Sequence, residues 1–483
     1  AWMPGPGTDR GSWPGARFLF AFIALPLGLY VGNVLFAIPL SILFWILAGL
    51  ALAGGVRALM DGRKCLALEG WASLKRLYHP VWVLAFALVV LAALGGGLSY
   101  QPYLGDEFTS WLRISRQIFL ADAYWSDQID YHYRAYTNGW PLLIVLPSLP
   151  FGDFSESRAA AMHFFMHLGL IGLTYDVLRR LVRDGGALGE GAADLFAWIG
   201  VLVVLAAEAS WLLLPTDLLI ERPALYALLA LFLLGLLGQF DGFDRLRLAA
   251  FIGFAWAAGY LLKVSALAAA PAVGLFWLTF LWRDARAGGA KPWPRAVWLA
   301  VAMAAPLAVV YFTWGQIRPG ESCQANISAL FAGDISVMFG APARALTGRM
   351  GDAALAYMAV FKPSLTLFSL AMLAGALFSR RLFILPLGFA AFFLFYLAAM
   401  FTAYVFCYGA LEGTYLESFQ RFIRTPVRVL HFVGLLALFG GLAELALDAK
   451  GRLRPWAEGL AARRWAVPCA MGIVCAGLAW QAF

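Results

Sequence analysis

The sequence is poor in charged residues and in cysteine patterns. Only 13% of its 483 residues are Asp, Glu, Lys or Arg, while 62% are hydrophobic, and this balance excludes a soluble globular protein. The five cysteines are scattered without a CxxC pair or a metal-ligand spacing, so neither a disulfide scaffold nor a zinc site organises the fold. No repeat of fixed period and no inverted repeat is evident, which disfavours a secondary transporter.

Long apolar runs make up most of the sequence. They recur from residue 18 to residue 483, and each is about as long as a hydrocarbon core of ~30 Å requires. We predict an all-α polytopic membrane protein with about 13 transmembrane helices. The run 18–55 is too long for one helix, and we place its break at Gly32-Asn33. The further predicted spans are 80–98, 157–180, 194–214, 223–240, 248–264, 266–282, 296–314, 364–379, 382–408, 426–446 and 466–483.

Basic residues predict the orientation of these spans. Of the 36 Lys and Arg residues, 23 lie at the N-terminus or in six segments: 57–76, 179–183, 245–247, 283–295, 380–381 and 450–464. Basic loops face the cytoplasm, so 99–156, 315–363 and 409–425 are predicted to be external. The net charge of +8 is therefore explained by membrane topology, and we expect membrane lipids as partners and no nucleic acid.

The chain divides into three predicted parts. Residues 1–79 form a lead-in of two spans and a basic cytoplasmic link. Residues 80–430 form a catalytic transmembrane core that carries the external segments, and residues 431–483 form C-terminal spans. The division rests on where the polar chemistry of the chain is concentrated.

The first external segment begins with an acidic pair. Asp106 and Glu107 open the stretch DEFTSWLRISRQIFL, whose periodicity predicts an amphipathic helix on the membrane surface. A carboxylate at this level is suited to act as a general base on a lipid-borne substrate. The alternative is that the pair only caps the helix that follows.

Three further segments carry candidate charges. Lys263 is the only charged residue between positions 248 and 282, and ~16 residues at 1.5 Å each place it near the outer interface. The helices on either side of it are short, as if broken to line a cavity, which favours phosphate binding over snorkelling.

Glu221 and Arg222 lie before a helix-opening Pro223, where they either clamp a polar head group or form a solvated turn. Arg421 lies among aromatics in a segment that suits a phosphate or a collar of anionic lipid.

Several segments resemble the membrane glycosyltransferases of GT-C type. GDEFTSWLRISRQIFLADAYWSDQIDYHYRAYTNGWPLL is similar to the first external loop of protein mannosyltransferases and of the lipid A aminoarabinose transferase group. YLLKVSAL resembles the lysine-containing element of that superfamily, and SFQRFIRTP resembles its late arginine-aromatic element. The lysine that usually precedes the Pro-Leu element is replaced by Asn138-Gly139-Trp140.

The resemblance implies a GT-C-like fold and an inverting glycosyltransferase in the bacterial inner (plasma) membrane. The enzyme would move a single sugar from a polyprenyl-phosphate donor to a hydroxyl of a glycan, lipid or protein acceptor on the periplasmic face. Asp106 would remove the acceptor proton and Glu107 would orient the acceptor. The implied donor-phosphate ligands are Lys263, Arg421 and Arg222, and the implied substrate-binding residues are Glu221, His132, Tyr133, Tyr415 and Glu417. No cofactor is required, and a divalent metal held by the acidic pair stays open.

Two alternatives use lipid-linked sugars differently. In a flippase or transporter, charges would line a path through several spans, whereas only Asp176 and Glu208 are predicted to lie inside spans here. In an O-antigen ligase or polymerase the main external loop comes late in the chain, and segment 315–363 keeps that alternative open.

Overall fold

The fold was obtained as a computed structural model, and the part of the chain that it describes is helical. No β-strand occurs within that part. The described residues are 14–69, 79, 83, 107–126, 129, 137, 139–159, 161–184, 190–207, 221–241, 243–286, 292–317, 341–406, 416 and 419–448.

The first two helices come from the long apolar run at the start of the chain. α1 covers Pro14–Phe36 and α2 covers Leu40–Glu69. The expected division into two helices is confirmed, but the predicted break at Gly32-Asn33 is wrong, because α1 continues to Phe36. The chain turns at Ala37, which has a φ of 52°. Asn33 stabilises this turn, since its side-chain amide donates to the Ile38 carbonyl at 2.9 Å.

The expected amphipathic helix is present after residue 106. A π-helical turn covers Glu107–Leu112, and α3 continues over Arg113–Ala121. Ile114 and Ile118 are buried on one face of α3 while Arg116 is exposed on the other, as an i, i+4 pattern requires. α3 ends at Asp122, whose carboxylate accepts from the backbone N–H of Ser41 at 2.8 Å and so caps α2. α4 follows at Gly139–Val145.

Six of the described helices form the central bundle. They are α5 (Ala161–Asp184), α6 (Glu190–Ala207), α7 (Glu221–Leu237), α8 (Arg245–Leu262), α9 (Ala270–Arg286) and α10 (Pro292–Ile317). Every residue of α7 after Glu221 is buried, so α7 is the centre of the bundle. α8 packs on α7, and α1 and α10 pack on α8. One end of the hairpin formed by α7 and α8 lies at Glu221. The other end is the loop before Arg245.

The last described helices are α11 (Ala341–Phe378), α12 (Ile384–Phe406) and α13 (Phe419–Asp448). The predicted span 364–379 is part of a longer helix, because α11 begins at Ala341 and its candidate membrane span begins at Gly351. The external location of 315–363 stays a prediction. α11 and α13 pack extensively along each other. A Cβ on Gly375 would collide with the Ala437 carbonyl oxygen, so the close approach of these two helices requires glycine there.

Within the described ranges, seven helices are long and apolar enough to cross a membrane. They are Phe18–Phe36, Arg245–Leu262, Val264–Arg286, Trp293–Gly315, Gly351–Phe378, Arg380–Tyr404 and Phe419–Glu444. The fold is that of an all-α membrane protein. The predicted spans at 80–98 and 466–483 lie outside the described residues, apart from the single residue Val83.

Candidate functional site

A three-residue ionic cluster joins three elements that are far apart in sequence. Glu221 opens α7, Lys263 follows the end of α8, and Arg421 lies in the first turn of α13. Lys263 Nζ lies 3.0 Å from Glu221 Oε1. Arg421 donates from Nε to Glu221 Oε1 at 3.0 Å and from Nη2 to Oε2 at 3.1 Å. We call these three residues the Glu221 cluster.

Lys263 is positioned by a break between two helices. Its backbone is extended, with φ −151° and ψ 126°, and a 3₁₀ helix at Val264–Ala269 leads into α9. Its N–H still donates to the Gly259 carbonyl at 2.8 Å, so α8 keeps its last hydrogen bond. Trp256 Nε1 donates to the Ala266 carbonyl at 2.9 Å, which satisfies a carbonyl of the 3₁₀ segment. The expected interruption at Lys263 is therefore confirmed.

The start of α4 packs directly on this break. Thr137 Oγ1 donates to the Tyr260 carbonyl at 2.8 Å. A Cβ on Gly139 would collide with the Leu261 carbonyl oxygen, so only glycine allows α4 to approach so closely. The glycine of the Asn138-Gly139-Trp140 element thus has a structural role beside Lys263.

Aromatic residues surround the start of α13. The Lys263 ammonium lies 4.8 Å from the centre of the Phe422 ring, a favourable cation–π distance. Tyr396 donates from its hydroxyl to the Phe422 carbonyl at 3.0 Å and so ties α12 to α13. Phe419 of the same turn packs on Tyr357 of α11, with ring centres 5.8 Å apart.

The cluster is buried unevenly. The exposed fractions of the side chains are 6% for Lys263, 12% for Glu221 and 34% for Arg421, so Arg421 is the member that solvent or a ligand reaches. Glu221 lies outside the seven candidate spans. Burial raises the pKa of its carboxyl, but Lys263 and Arg421 outweigh that effect and lower the pKa to about 2. Glu221 is therefore ionised at neutral pH and unsuited to act as a proton carrier.

Arg222 is separated from this cluster although it follows Glu221 in sequence. Successive helical residues project about 100° apart, and the hydrogen-bond and ion-pair partners of Glu221 are Lys263 and Arg421. Arg222 is buried, and its charge acts on His167 of α5. His167 packs on Tyr226, with ring centres 5.6 Å apart. The structure thus joins Lys263 and Arg421 but leaves Arg222 on a different side of α7.

The remaining predicted site residues are placed only in part. Glu107 opens the π-helical turn, and this turn packs on α4, which contacts the Lys263 break. The other five predicted site residues lie outside the described residues: Asp106, His132, Tyr133, Tyr415 and Glu417.

Asp176, which the sequence places inside a span, has a structural role. Its carboxylate accepts from the backbone N–H of Ala16 at 3.1 Å, at the start of α1, and contacts His79 Nε2 at 2.8 Å. It therefore caps α1, where the helix dipole favours negative charge. Glu208 lies outside the described residues.

Sequence reasoning did not single out Phe422, Tyr396 or Thr137. Phe422 belongs to the arginine-aromatic segment. The alternation of aromatic and basic residues there could have indicated that its ring lies beside a cation. Thr137 and Tyr396 act through hydrogen bonds to backbone carbonyls of other elements, which no local pattern indicates. Among the described residues, no group of three or more His, Cys, Asp or Glu side chains is placed to hold a metal ion.

Comparison with protein-family models, with curated proteins and with solved structures finds no match to this chain.

Proposed function

We propose that this protein is an inverting glycosyltransferase of GT-C type that uses a polyprenyl-phosphate sugar. In this proposal the chain has about 13 spans, lies in the bacterial inner membrane, and acts on its periplasmic face. The supporting observation is that Lys263 and Arg421, which are distant in sequence, meet at Glu221. Two cations against one carboxylate leave the cluster with a net positive charge, which is what a phosphate leaving group requires.

The geometry refines the roles of the two cations. Arg421 is one-third exposed and presents a guanidinium to the donor phosphate, for which its planar fork is suited. Lys263 is almost fully buried, so it acts by holding Glu221 in place. Glu221 in turn orients Arg421 through two hydrogen bonds. Glu221 and Lys263 are thus positioning residues, and Arg421 contacts the phosphate.

The reaction is a displacement at the anomeric carbon. The acceptor oxygen forms a bond to that carbon while the bond from the carbon to the phosphate oxygen breaks, with inversion. Asp106 accepts the acceptor proton, Glu107 orients the acceptor, and polyprenyl phosphate leaves with the bonding electrons towards Arg421. The packing of the Glu107–Leu112 turn on α4, and of α4 on the Lys263 break, supports a shared site.

The location of the described charges favours a site at one face over a path across the membrane. Glu221, Lys263 and Arg421 all lie at one end of the α7–α8 hairpin. Asp176, one of two acidic residues predicted inside spans, caps the start of α1. A flippase would need polar groups distributed along the spans.

The experiment is a donor panel with matched variants. The purified full-length protein is incubated with polyprenyl-phosphate sugars and an acceptor mixture, and release of polyprenyl phosphate is measured. We expect one donor to be consumed, and Asp106→Asn to lower the rate by about 10²–10⁴-fold because an amide accepts no proton. Arg421→Gln should weaken binding of the polyprenyl-phosphate product, while Arg349→Gln, an exposed arginine on α11, should behave as wild type.

Three results would contradict the proposal. Movement of intact lipid-linked sugar across vesicles without release would indicate a flippase. Transfer of a whole glycan chain would indicate a ligase or polymerase. Full activity of both Asp106→Asn and Glu107→Gln would remove the acidic pair from the chemistry.

A further inference from the structure

Arginines gather at the end of the bundle opposite Glu221. They come from α5, from the start of α8, from the end of α9, from the start of α10 and from the 3₁₀ turn at Arg380–Phe383. Seven arginines and three aspartates form this arginine cluster: Arg180, Arg245, Arg247, Arg283, Arg286, Arg295, Arg381, Asp241, Asp244 and Asp284. The acidic residues are too few to neutralise the basic ones.

Asp284 serves two of these arginines at once. Its Oδ1 accepts from Arg245 Nη1 at 2.7 Å, and its Oδ2 accepts from Arg295 Nε at 2.8 Å. Asp241 lies 3.4 Å from Arg283 and 3.6 Å from Arg245, but its side chain is 87% exposed. A carboxylate so exposed to water gives Arg283 little compensation.

Three guanidinium nitrogens in the cluster are buried without a hydrogen-bond partner among the described residues. They are Arg245 Nε, Arg283 Nε and Arg381 Nη1. Within the described part of the chain Arg381 has no ion pair, and its guanidinium lies 5.4 Å from the centre of the Phe240 ring. Arg245, Arg286 and Arg381 all repel Arg283 electrostatically. An anion bound here would accept hydrogen bonds from these buried donors and would reduce the repulsion among the arginines.

Exposed tryptophans border the same end. Trp282 precedes Arg283 and is 52% exposed, and the Arg286 guanidinium lies 3.9 Å from the centre of its ring. Trp293, in the first turn of α10, is 80% exposed. Tryptophan concentrates at the membrane–water interface, at the level of the lipid headgroups. An arginine cluster bordered by such tryptophans is suited to the depth where lipid phosphates lie.

We propose that the arginine cluster binds a phosphate group through Arg283 and Arg381, with the headgroup of an anionic lipid as its source. Phosphate oxygens match the fork of N–H donors on a guanidinium and supply the missing acceptors. Free phosphate shares this chemistry, and the experiment separates the two sources. No residue of the Glu221 cluster takes part, so the phosphate site is independent of the proposed glycosyl transfer.

The test uses the full-length protein in nanodiscs of phosphatidylcholine, with and without phosphatidylglycerol. Thermal unfolding and the amount of phosphatidylglycerol retained after delipidation are measured for wild type, Arg283→Gln, Arg381→Gln and Arg349→Gln. The last variant is the control, because Arg349 is an exposed arginine near the start of the helix that ends beside Arg381. A third set of phosphatidylcholine discs receives inorganic phosphate in place of chloride at equal ionic strength.

We expect phosphatidylglycerol to raise the unfolding midpoint of wild type and of Arg349→Gln. Each cluster variant should retain about fivefold less phosphatidylglycerol. Arg381→Gln should be at least as stable as wild type in phosphatidylcholine alone, because it removes a buried donor that no described residue satisfies. That result separates a ligand-binding role from a structural one.

The remaining outcomes also decide the proposal. If inorganic phosphate alone stabilises wild type but not Arg381→Gln, the phosphate site holds and its source is soluble. If Arg349→Gln loses phosphatidylglycerol as much as the cluster variants, attraction is a property of the whole surface and the site is refuted. No response of wild type to phosphatidylglycerol or to phosphate would also refute it.

Discussion

The Glu221 cluster and the arginine cluster lie at opposite ends of the α7–α8 hairpin, about 25 Å apart for a 17-residue helix. Both contain carboxylates and cationic side chains, but in different numbers and with different sharing of the carboxylates. The Glu221 cluster has one buried carboxylate between two cations from distant parts of the chain. The arginine cluster has three carboxylates shared among many arginines, and two of those carboxylates precede or open α8.

The two clusters differ in how many carboxylates their cations contact. Lys263 and Arg421 share one carboxylate, and among the described residues Lys263 has no other ion-pair partner, so the loss of Glu221 leaves a buried ammonium uncompensated. In the arginine cluster Arg245 contacts Asp284 and, more weakly because of its exposure, Asp241, so the loss of Asp284 leaves Arg245 a part of its compensation. Burial increases the contrast, because water does not replace a missing partner of Lys263.

The largest effect is expected for Glu221→Gln. Removing one partner of a buried ion pair typically costs about 3–5 kcal/mol, because the remaining charge stays desolvated. Unfolding in detergent by heat or denaturant measures the loss. Glu156→Gln is the control, since Glu156 is exposed and should change stability little.

A second substitution sharpens this prediction. Lys263→Met added to Glu221→Gln should restore part of the lost stability, because it removes the buried ammonium while keeping a similar volume. If Glu221→Gln were as stable as wild type, the cluster would not depend on its single carboxylate.

An intermediate effect is expected for Gly139→Ala. Its Cβ would clash with the Leu261 carbonyl oxygen, and overpacking of this kind costs about 1–3 kcal/mol. The shift would also displace the backbone next to Lys263, so the release of polyprenyl phosphate should fall together with the unfolding midpoint. Gly274→Ala on α9 is the matched control, since a Cβ added there would meet no described atom within 4 Å. Equal stability of the two variants would show that α4 does not need its close approach.

The smallest effects are expected in the arginine cluster. Asp284→Asn should cost about 1–2 kcal/mol, because two charged hydrogen bonds weaken while Asp241 still faces Arg245. Asp241→Asn should cost roughly 0–1 kcal/mol, because its carboxylate is exposed. Denaturant unfolding of both variants compares them. If Asp284→Asn lowered the free energy of unfolding as much as Glu221→Gln, the two clusters would not differ in their dependence on one carboxylate.

Much of the fold follows from local sequence patterns. Apolar length predicted helices that the structure places at α5 to α10 and at α12 and α13, and the i, i+4 pattern predicted α3. The turn at Ala37 was missed, because Gly32-Asn33 is a local breaking signal that α1 tolerates when Asn33 bonds the turn beyond it. The start of α11 was missed because the polar residues there are equally typical of a loop.

The candidate site was predictable only as separate residues. Lys263 stood out because it is a lone charge in an apolar stretch, and Arg421 because it lies among aromatics. Their common partner was not evident, since Glu221 lies 42 positions from Lys263 and 200 from Arg421 in the sequence. The sequence also did not show that Glu221 and Arg222 have different surroundings. Helix rotation separates them in the structure, where Glu221 contacts the cations and Arg222 lies near His167.

The sequence by itself determined that the chain is helical and suited to a membrane, because apolar length and periodicity are local properties that act within a few turns. Only the tertiary structure decided that Lys263 and Arg421 share one carboxylate, that Gly139 must be glycine, and that Arg381 has no ion pair among the described residues. These features depend on which helices pack together and on a few tenths of an ångström between their backbones. Contacts across hundreds of residues are set by the packing of the whole bundle, and no short segment contains that information.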